Sequence, residues 1–251
     1  MRFAIAQGLA LGRMGFHFQP VVRARRPDFV AFHEMLARLA LPSGEIMPAG
    51  AFMPFVERGP LGRAIDRLAL ARAVELLEAR PDLRLSVNLS PLSMGDADWL
   101  EIFARAAAQA GPALNRLILE VTETDALHDI DQTRDFMAYT RAAGVAFALD
   151  DFGAGATGFR HFRELRFDIV KIDGAFIRDV AETPDARILV ECLMAVAGHF
   201  EMVTVAERVE SEADAAWLAA LGIDCLQGYL YGRPVPAIAP PGEERRLRAV
   251  G

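Results

Sequence analysis

The chain has 251 residues, 53% of them hydrophobic, and a formal net charge of −7. The apolar fraction excludes global disorder, and the length is close to the roughly 250 residues of one eight-fold β/α barrel. The acidic balance excludes the basic stripe with which proteins grip long nucleic acid, while a small phosphorylated ligand stays compatible if metal ions or local arginines offset the charge.

In chain order, the N-terminal Met1-Arg2-Phe3-Ala4-Ile5-Ala6 reads as a short docking helix. Gln7 interrupts its apolar stretch and Arg13 follows, which argues against a targeting signal. Strand-like runs come at Gly15–Val22, Phe29–Leu36, Leu85–Leu89, Leu117–Val121, Val145–Leu149, Phe167–Ile172, Met202–Ala206 and Ile223–Leu230. A longer loop begins at Leu41 and runs past Gly50. Pro60 to Ala79 repeats apolar residues on one helical face: Ile65, Leu68, Ala69, Ala73 and Leu76. Thr183 caps a helix with Pro184 at its first position, running to about His199. Ser211 with Asp214 forms an acidic variant of the capping box, and Gly222 stops that helix. The tail from Pro234 is Pro-rich, then charged, and reads as peripheral. From the third strand onward, strands alternate with helices, the pattern of a parallel sheet covered by helices. Eight strands in one chain of this size favour a single barrel domain over residues 1–251; a doubly wound open sheet is the alternative.

The longest membrane-span candidate, Ile188 to Ala197, is interrupted by Glu191 and falls short of the ~18 residues a span requires. Cys192 and Cys225 belong to no CxxC pair and read as reduced core thiols of a cytoplasmic protein. The five histidines are scattered, with no HExxH or HxH pattern.

The polar residues fall at unusual places. Strand two contains Glu34, strand three Asn88, and strand four Glu120 with Glu123 just beyond. Strand five runs into Asp150-Asp151, strand six ends at Lys171-Ile172 before Asp173, strand seven runs into Glu207, and strand eight contains Gln227. In a β/α barrel the C-terminal strand ends converge on one face, where active sites are built. A single such carboxylate is an ordinary surface charge or ion-pair member; the set would repel itself if left bare, and cations are the usual remedy. All-oxygen ligands point to Mg²⁺ or Mn²⁺ and not zinc. Adjacent Asp150 and Asp151 can serve two cations if one carboxylate bridges, and two-metal sites of this type perform in-line displacement at phosphorus. Lys171 reads either as a structural salt bridge or as the group that orients the attacking water. Gly153 and Gly155 read either as an ordinary turn or as a loop that approaches ligand or metal closely.

These motifs resemble the EAL-domain family of cyclic di-GMP phosphodiesterases over nearly the whole chain. Phe18-Gln19-Pro20 is similar to the family's opening strand, and Glu34-Met35-Leu36 occupies its signature, with Arg38 two residues on. Ser86-Val87-Asn88-Leu89-Ser90, Glu120-Val121-Thr122-Glu123, Asp150-Asp151-Phe152-Gly153-Ala154-Gly155, Lys171-Ile172-Asp173, Ala206-Glu207-Arg208-Val209-Glu210 and Gln227-Gly228-Tyr229-Leu230 follow in the family's order. The resemblance implies a TIM-like barrel whose first strand is antiparallel to the rest. It implies metal-dependent hydrolysis of cyclic di-GMP to 5'-pGpG. Glu34, Asn88, Glu120 and Asp150 would hold one divalent cation, with Asp150 bridging; Asp151 and Glu207 would hold the second. Lys171 and Asp151 would position the water, with Glu207 as candidate base. Glu123 and Glu210 would stand behind these residues together with Asp173, and Gln19, Arg38 and Gln227 would contact ligand. A homodimer through the region around the Asp-Asp-Phe-Gly loop is a further implication. No GGDEF, sensor or receiver segment is visible in the chain; such domains are expected partners if it is a fragment.

The chain departs from the family pattern at four positions. Met35 replaces the signature Ala, but next to a metal ligand on a strand it should face the other way. Ala154 and Ala156 alter the loop. Arg208 replaces a Gly: its side chain distorts the backbone if φ is positive there, or its guanidinium reaches a ligand phosphate. The competing readings are a non-catalytic cyclic di-GMP receptor, whose mark would be lost metal residues, and an unrelated metal-dependent barrel enzyme, which would bind no purine dinucleotide.

Overall fold

The computed structural model describes residues 1–126, 129–153 and 164–240. The chain begins with helix α1 (Arg2–Ala10), followed by strands β1 (Met14–Arg23), β2 (Arg26–Ala40) and β3 (Ile46–Pro48). Next come α2 (Ala49–Phe52), α3 (Pro60–Ala79), β4 (Leu85–Asn88), α4 (Pro91–Met94), α5 (Ala97–Gln109), α6 (Gly111–Leu114) and β5 (Leu117–Thr122). The chain continues through α7 (Glu123–Ala126), α8 (Ile130–Arg141), β6 (Ala146–Phe152), β7 (Ile169–Ile172), α9 (Gly174–Ile177), α10 (Pro184–His199), β8 (Val203–Ala206), α11 (Glu212–Leu221) and β9 (Cys225–Gln227).

Strands run in the order β1-β9-β8-β7-β6-β5-β4-β2, and β1 pairs with β2 to close the barrel. β1 is antiparallel to both its neighbours; the remaining barrel pairings are parallel. All eight expected strands are present and the open sheet is excluded. β3, within the expected loop, is an addition: it pairs only with the protruding end of β2 at Arg38–Ala40.

Period-two alternation in the strands separates two apolar layers. One side chain set (Val21, Phe32, Ile118, Ala148, Ile169, Val205, Cys225) clusters on its own and fills the barrel. The intervening residues, such as Met35, Val87, Leu119 and Leu149, join the larger cluster beneath the helices. Each fully buried aliphatic side chain stabilises the fold by about 1.5–3 kcal/mol.

α1 docks as expected: Ile5 is buried with Leu39, Phe52, Val56 and Ile65, and Gly8 lies so close that a Cβ there would sit 2.3 Å from Leu39 Cδ1. On α3, Ile65, Ala69 and Ala73 are buried as expected, but Leu68 is exposed, and the stripe continues through Leu70 and Leu77. Ser211 accepts from Asp214 N, and Gly222 ends α11 in the left-handed region at φ 102°. Thr183 occupies its expected place before Pro184 but makes no side-chain cap, so proline's fixed φ is the start signal there. Cys225 is buried, and burial pushes its thiol up to about 11; Cys192 is exposed and is not a core thiol. Val235 exchanges two backbone hydrogen bonds with Phe18 of β1. Among the described residues no helix is long and apolar enough to cross a membrane.

Candidate metal and phosphodiester site

The site is the next layer of the barrel interior. Two residues beyond each apolar interior residue, along the parallel strands, stand Glu34, Glu120, Asp150, Lys171, Glu207 and Gln227. On the antiparallel β1 the same step runs backwards, from Val21 to Gln19, and Gln19 pairs with Glu34. One polar ring thus lies directly on one apolar ring, a consequence of the two-residue repeat. Asn88 ends β4 beside Glu120, and its Nδ2 donates to Glu34 Oε1 at 3.1 Å. Met35, between ring residues, packs outward at 2% exposure, as expected.

Lys171 sits at the centre, 1% exposed. Its Nζ is 2.7 Å from Glu207, 2.9 Å from Glu120, 2.9 Å from Asp150 and 3.5 Å from Glu34. Burial lowers the lysine pKa, but the four carboxylates outweigh it and hold the ammonium well above its usual value. Burial raises Glu120 to about 8 against the pull of Lys171, and raises Glu207 well above the carboxylate range.

Asp151 reaches the ring through a backbone irregularity. The β6–β7 register shifts between Leu149 and Phe152, and Asp151 takes a positive φ of 54°. Carboxylate oxygens of Asp150, Asp151 and Glu207 then lie within 4.8 Å of one another. Burial and the neighbouring Asp150 push Asp151 up to about 6. Gly153 follows at φ 96°, and a Cβ there would meet Phe176 at 2.8 Å. Gly155, Ala154 and Ala156 lie outside the described residues.

The donor set fits hard cations. Glu34, Glu120, Asp150, Asp151 and Glu207 supply five carboxylates against the single ammonium of Lys171, so 5 − 1 leaves four formal negative charges, the charge that two divalent cations balance. Glu120 Oε1 is buried with no hydrogen-bond partner, an acceptor left unused by the protein.

The remaining expected residues divide. Gln227 Nε2 donates to Glu34 Oε2 and lies 3.4 Å from Gln19 Oε1, while Gln19 Nε2 donates to Gly232 O. Arg38 is half-buried on β2, its guanidinium donating to Ala37 O. Glu123 is buried at the start of α7, and Asp173 caps α9 by accepting from Ala175 N. Glu210 is exposed and stands outside the cluster. A cavity of about 1050 Å³ opens over the ring, lined in part by Glu34, Asn88, Glu120, Asp150 and Arg208. Its wall also includes Asp66, which the sequence reading passed over. Asp66 Oδ2 accepts from Ser90 N, Ser90 Oγ and Ser93 Oγ and so anchors the turn after Asn88. The signal was an acidic residue on the apolar face of α3.

Residues 3–234 match the family model described as the EAL domain. The chain belongs to the EAL-domain family. Among curated relatives of this EAL domain, MucR of Pseudomonas aeruginosa, a bifunctional diguanylate cyclase/cyclic di-GMP phosphodiesterase, is 31% identical over 93% of this chain and 35% of its own. PdeF of Escherichia coli, a cyclic di-GMP phosphodiesterase, is 30% identical over 86% of this chain and 30% of its own. The chain thus spans about a third of the length of these relatives. Among solved structures, the MucR phosphodiesterase in complex with c-di-GMP superposes with a TM-score of 0.82 at 31% identity, covering 94% of this chain and 97% of that one. The EAL domain of FimX from Pseudomonas aeruginosa, bound to c-di-GMP, gives 0.85 at 25% identity, covering 94% and 96%.

Proposed function

We propose that this EAL domain binds cyclic di-GMP over the polar ring and hydrolyses one phosphodiester to give 5'-pGpG. The observation that carries the reading is the ring itself: Glu34, Glu120, Asp150 and Glu207 surround the Lys171 ammonium, Asp151 joins Asp150 and Glu207, and Glu34, Asn88, Glu120 and Asp150 face the cavity, with an excess of negative charge and an unused buried acceptor. Glu34, Asn88, Glu120 and Asp150 would hold one Mg²⁺ or Mn²⁺, and Asp150, Asp151 and Glu207 the other. When bound, such cations polarise the phosphodiester and make water a better nucleophile.

The chain's own residues supply the rest. Lys171 keeps its proton because four carboxylates surround it. Its ammonium is fixed on a rigid strand by Glu207, Glu120 and Asp150, and would orient a water held among these carboxylates by sharing one of its engaged N–H groups. Asp151, raised by bent backbone to the same ring, accepts from that water's other hydrogen. Glu207, ionised beside the cation it would hold, would be the group to take the proton when the water attacks phosphorus. The bond to the leaving 3'-oxygen breaks as the new P–O bond forms, and the proton taken by Glu207 would pass to that oxygen, so the cyclic dinucleotide opens with a 3'-hydroxyl and a 5'-phosphate. Gln19 and Gln227, beside Glu34, and Arg38 on β2 would contact the ligand.

The test is chromatography of cyclic di-GMP incubated with the purified domain in Mg²⁺, in Mn²⁺ and in chelator. Metal-dependent 5'-pGpG is the expected result; tight binding with no product under any condition would remove the enzymatic reading.

A further inference from the structure

Arg208 stands in the left-handed region, at φ 53°, on the wall of the cavity and next to Glu207. Such a conformation costs a non-glycine residue of order 1–3 kcal/mol and persists only where the surroundings over-determine it. Here they do. Glu207 N donates to Ile172 O at 3.2 Å on one side, and Val209 N donates to Gln227 O at 2.9 Å on the other. Gly228 is pressed against Val209, where a Cβ would fall 2.0 Å from the Val209 carbonyl oxygen.

The side chain has a seat of its own. Its stem lies across Gly174, where a Cβ would meet Arg208 Cβ, Cγ and Cδ at 2.6, 2.7 and 2.5 Å. Its guanidinium has little to hold it: the side chain is 67% exposed, and the nearest carboxylate oxygen, on Asp173, is 3.9 Å away. An exposed pair at that distance contributes little. The cavity's other charged wall residues are carboxylates, among them Glu34, Glu120 and Asp150, with Arg58 the one further base on its described wall. An anionic ligand entering this acidic cavity meets repulsion, and a planar cation at the rim is the group that offsets it.

We infer that Arg208 is a ligand-contacting residue whose guanidinium pairs with a phosphodiester oxyanion of the bound cyclic dinucleotide, and that its strained backbone is retained for that contact. The inference rests on the reading that cyclic di-GMP is the ligand. It makes two properties move in opposite directions. Arg208→Gly relaxes the backbone and removes the cation; Arg208→Asn, a residue tolerant of the left-handed region, removes the cation with less gain in chain freedom. Both variants should melt at or above the wild-type temperature yet bind cyclic di-GMP about tenfold more weakly, as loss of a charged hydrogen bond implies. The difference should shrink as salt is raised. Arg208→Lys should fall between, retaining charge without the fork.

The experiment is equilibrium binding of cyclic di-GMP, in calcium buffer and in chelator, beside thermal melts of the same samples. Wild-type affinity in both the Gly and Asn variants would overturn the inference and leave the ligand reading intact. No binding by the wild type in either buffer would remove the ligand reading and this inference with it.

Discussion

Replacing Lys171 with methionine tests how the polar ring is held together. The substitution keeps an unbranched stem of similar length and removes the charge. Lys171 is fully buried, with Nζ within 3 Å of Glu207, Glu120 and Asp150, so its loss strands the buried Glu120 and the partly buried Asp150 and Glu207. Removing one partner of a buried ion pair costs about 3–5 kcal/mol. At about 2–4 °C per kcal/mol for a chain of this size, that is a fall of roughly 6–20 °C in Tm. The loss depends on pH. Lys171 lowers the pKa values of Glu120 and Glu207, so both rise further without it. A carboxyl whose folded pKa exceeds its unfolded value, about 4.3 for Glu, contributes stability that is complete below that value and lost as pH rises through the folded pKa. The deficit should therefore be smallest near about pH 5 and grow beyond about pH 8, where Glu120 of the wild type itself titrates. Mg²⁺ should recover part of it. Thermal melts in chelator across that pH range, repeated with Mg²⁺, measure all of this. A deficit independent of pH, or a variant melting within a degree or two of wild type in chelator at high pH, would refute the reasoning.

Two further outcomes follow from single residues. Burial raises the pKa of Asp66 above its unfolded value against the three hydrogen bonds it accepts, so its ionisation opposes folding as pH rises through the folded pKa. Asp66→Asn, with the amide oxygen in place of Oδ2, should keep those hydrogen bonds and flatten the pH dependence of stability above about pH 4, read from urea melts. Gly228→Ala places a methyl inside the Val209 backbone. It should cost about 1–3 kcal/mol or more and, by displacing neighbouring Gln227, weaken cyclic di-GMP binding as well; wild-type stability in a chemical melt would contradict that packing.

Much of this was legible because a strand's two faces alternate. Phe32 then Glu34, Ile118 then Glu120, Ile169 then Lys171 and Val205 then Glu207 each step from apolar to polar on one face. Strand direction is not written in such a run, so the antiparallel β1 came from the family resemblance alone. β3 was missed because three residues ending in Pro48 have no period to read, and only the overlong β2 gives them a partner. Asp151 belongs to the same site by a bulge and a positive φ, neither of which alternation foretells, although the adjacent aspartates signalled it. The strain at Arg208 was foreseeable only as a condition on φ, and the seat on Gly174 depends on two segments meeting in space.

The most direct test of the two-cation ring is a Mn²⁺-soaked crystal measured at the manganese absorption edge. The account predicts two anomalous peaks, one touching Glu34, Asn88, Glu120 and Asp150 and one touching Asp150, Asp151 and Glu207. Peaks absent from the ring, or Mn²⁺ bound only at surface carboxylates, would contradict it.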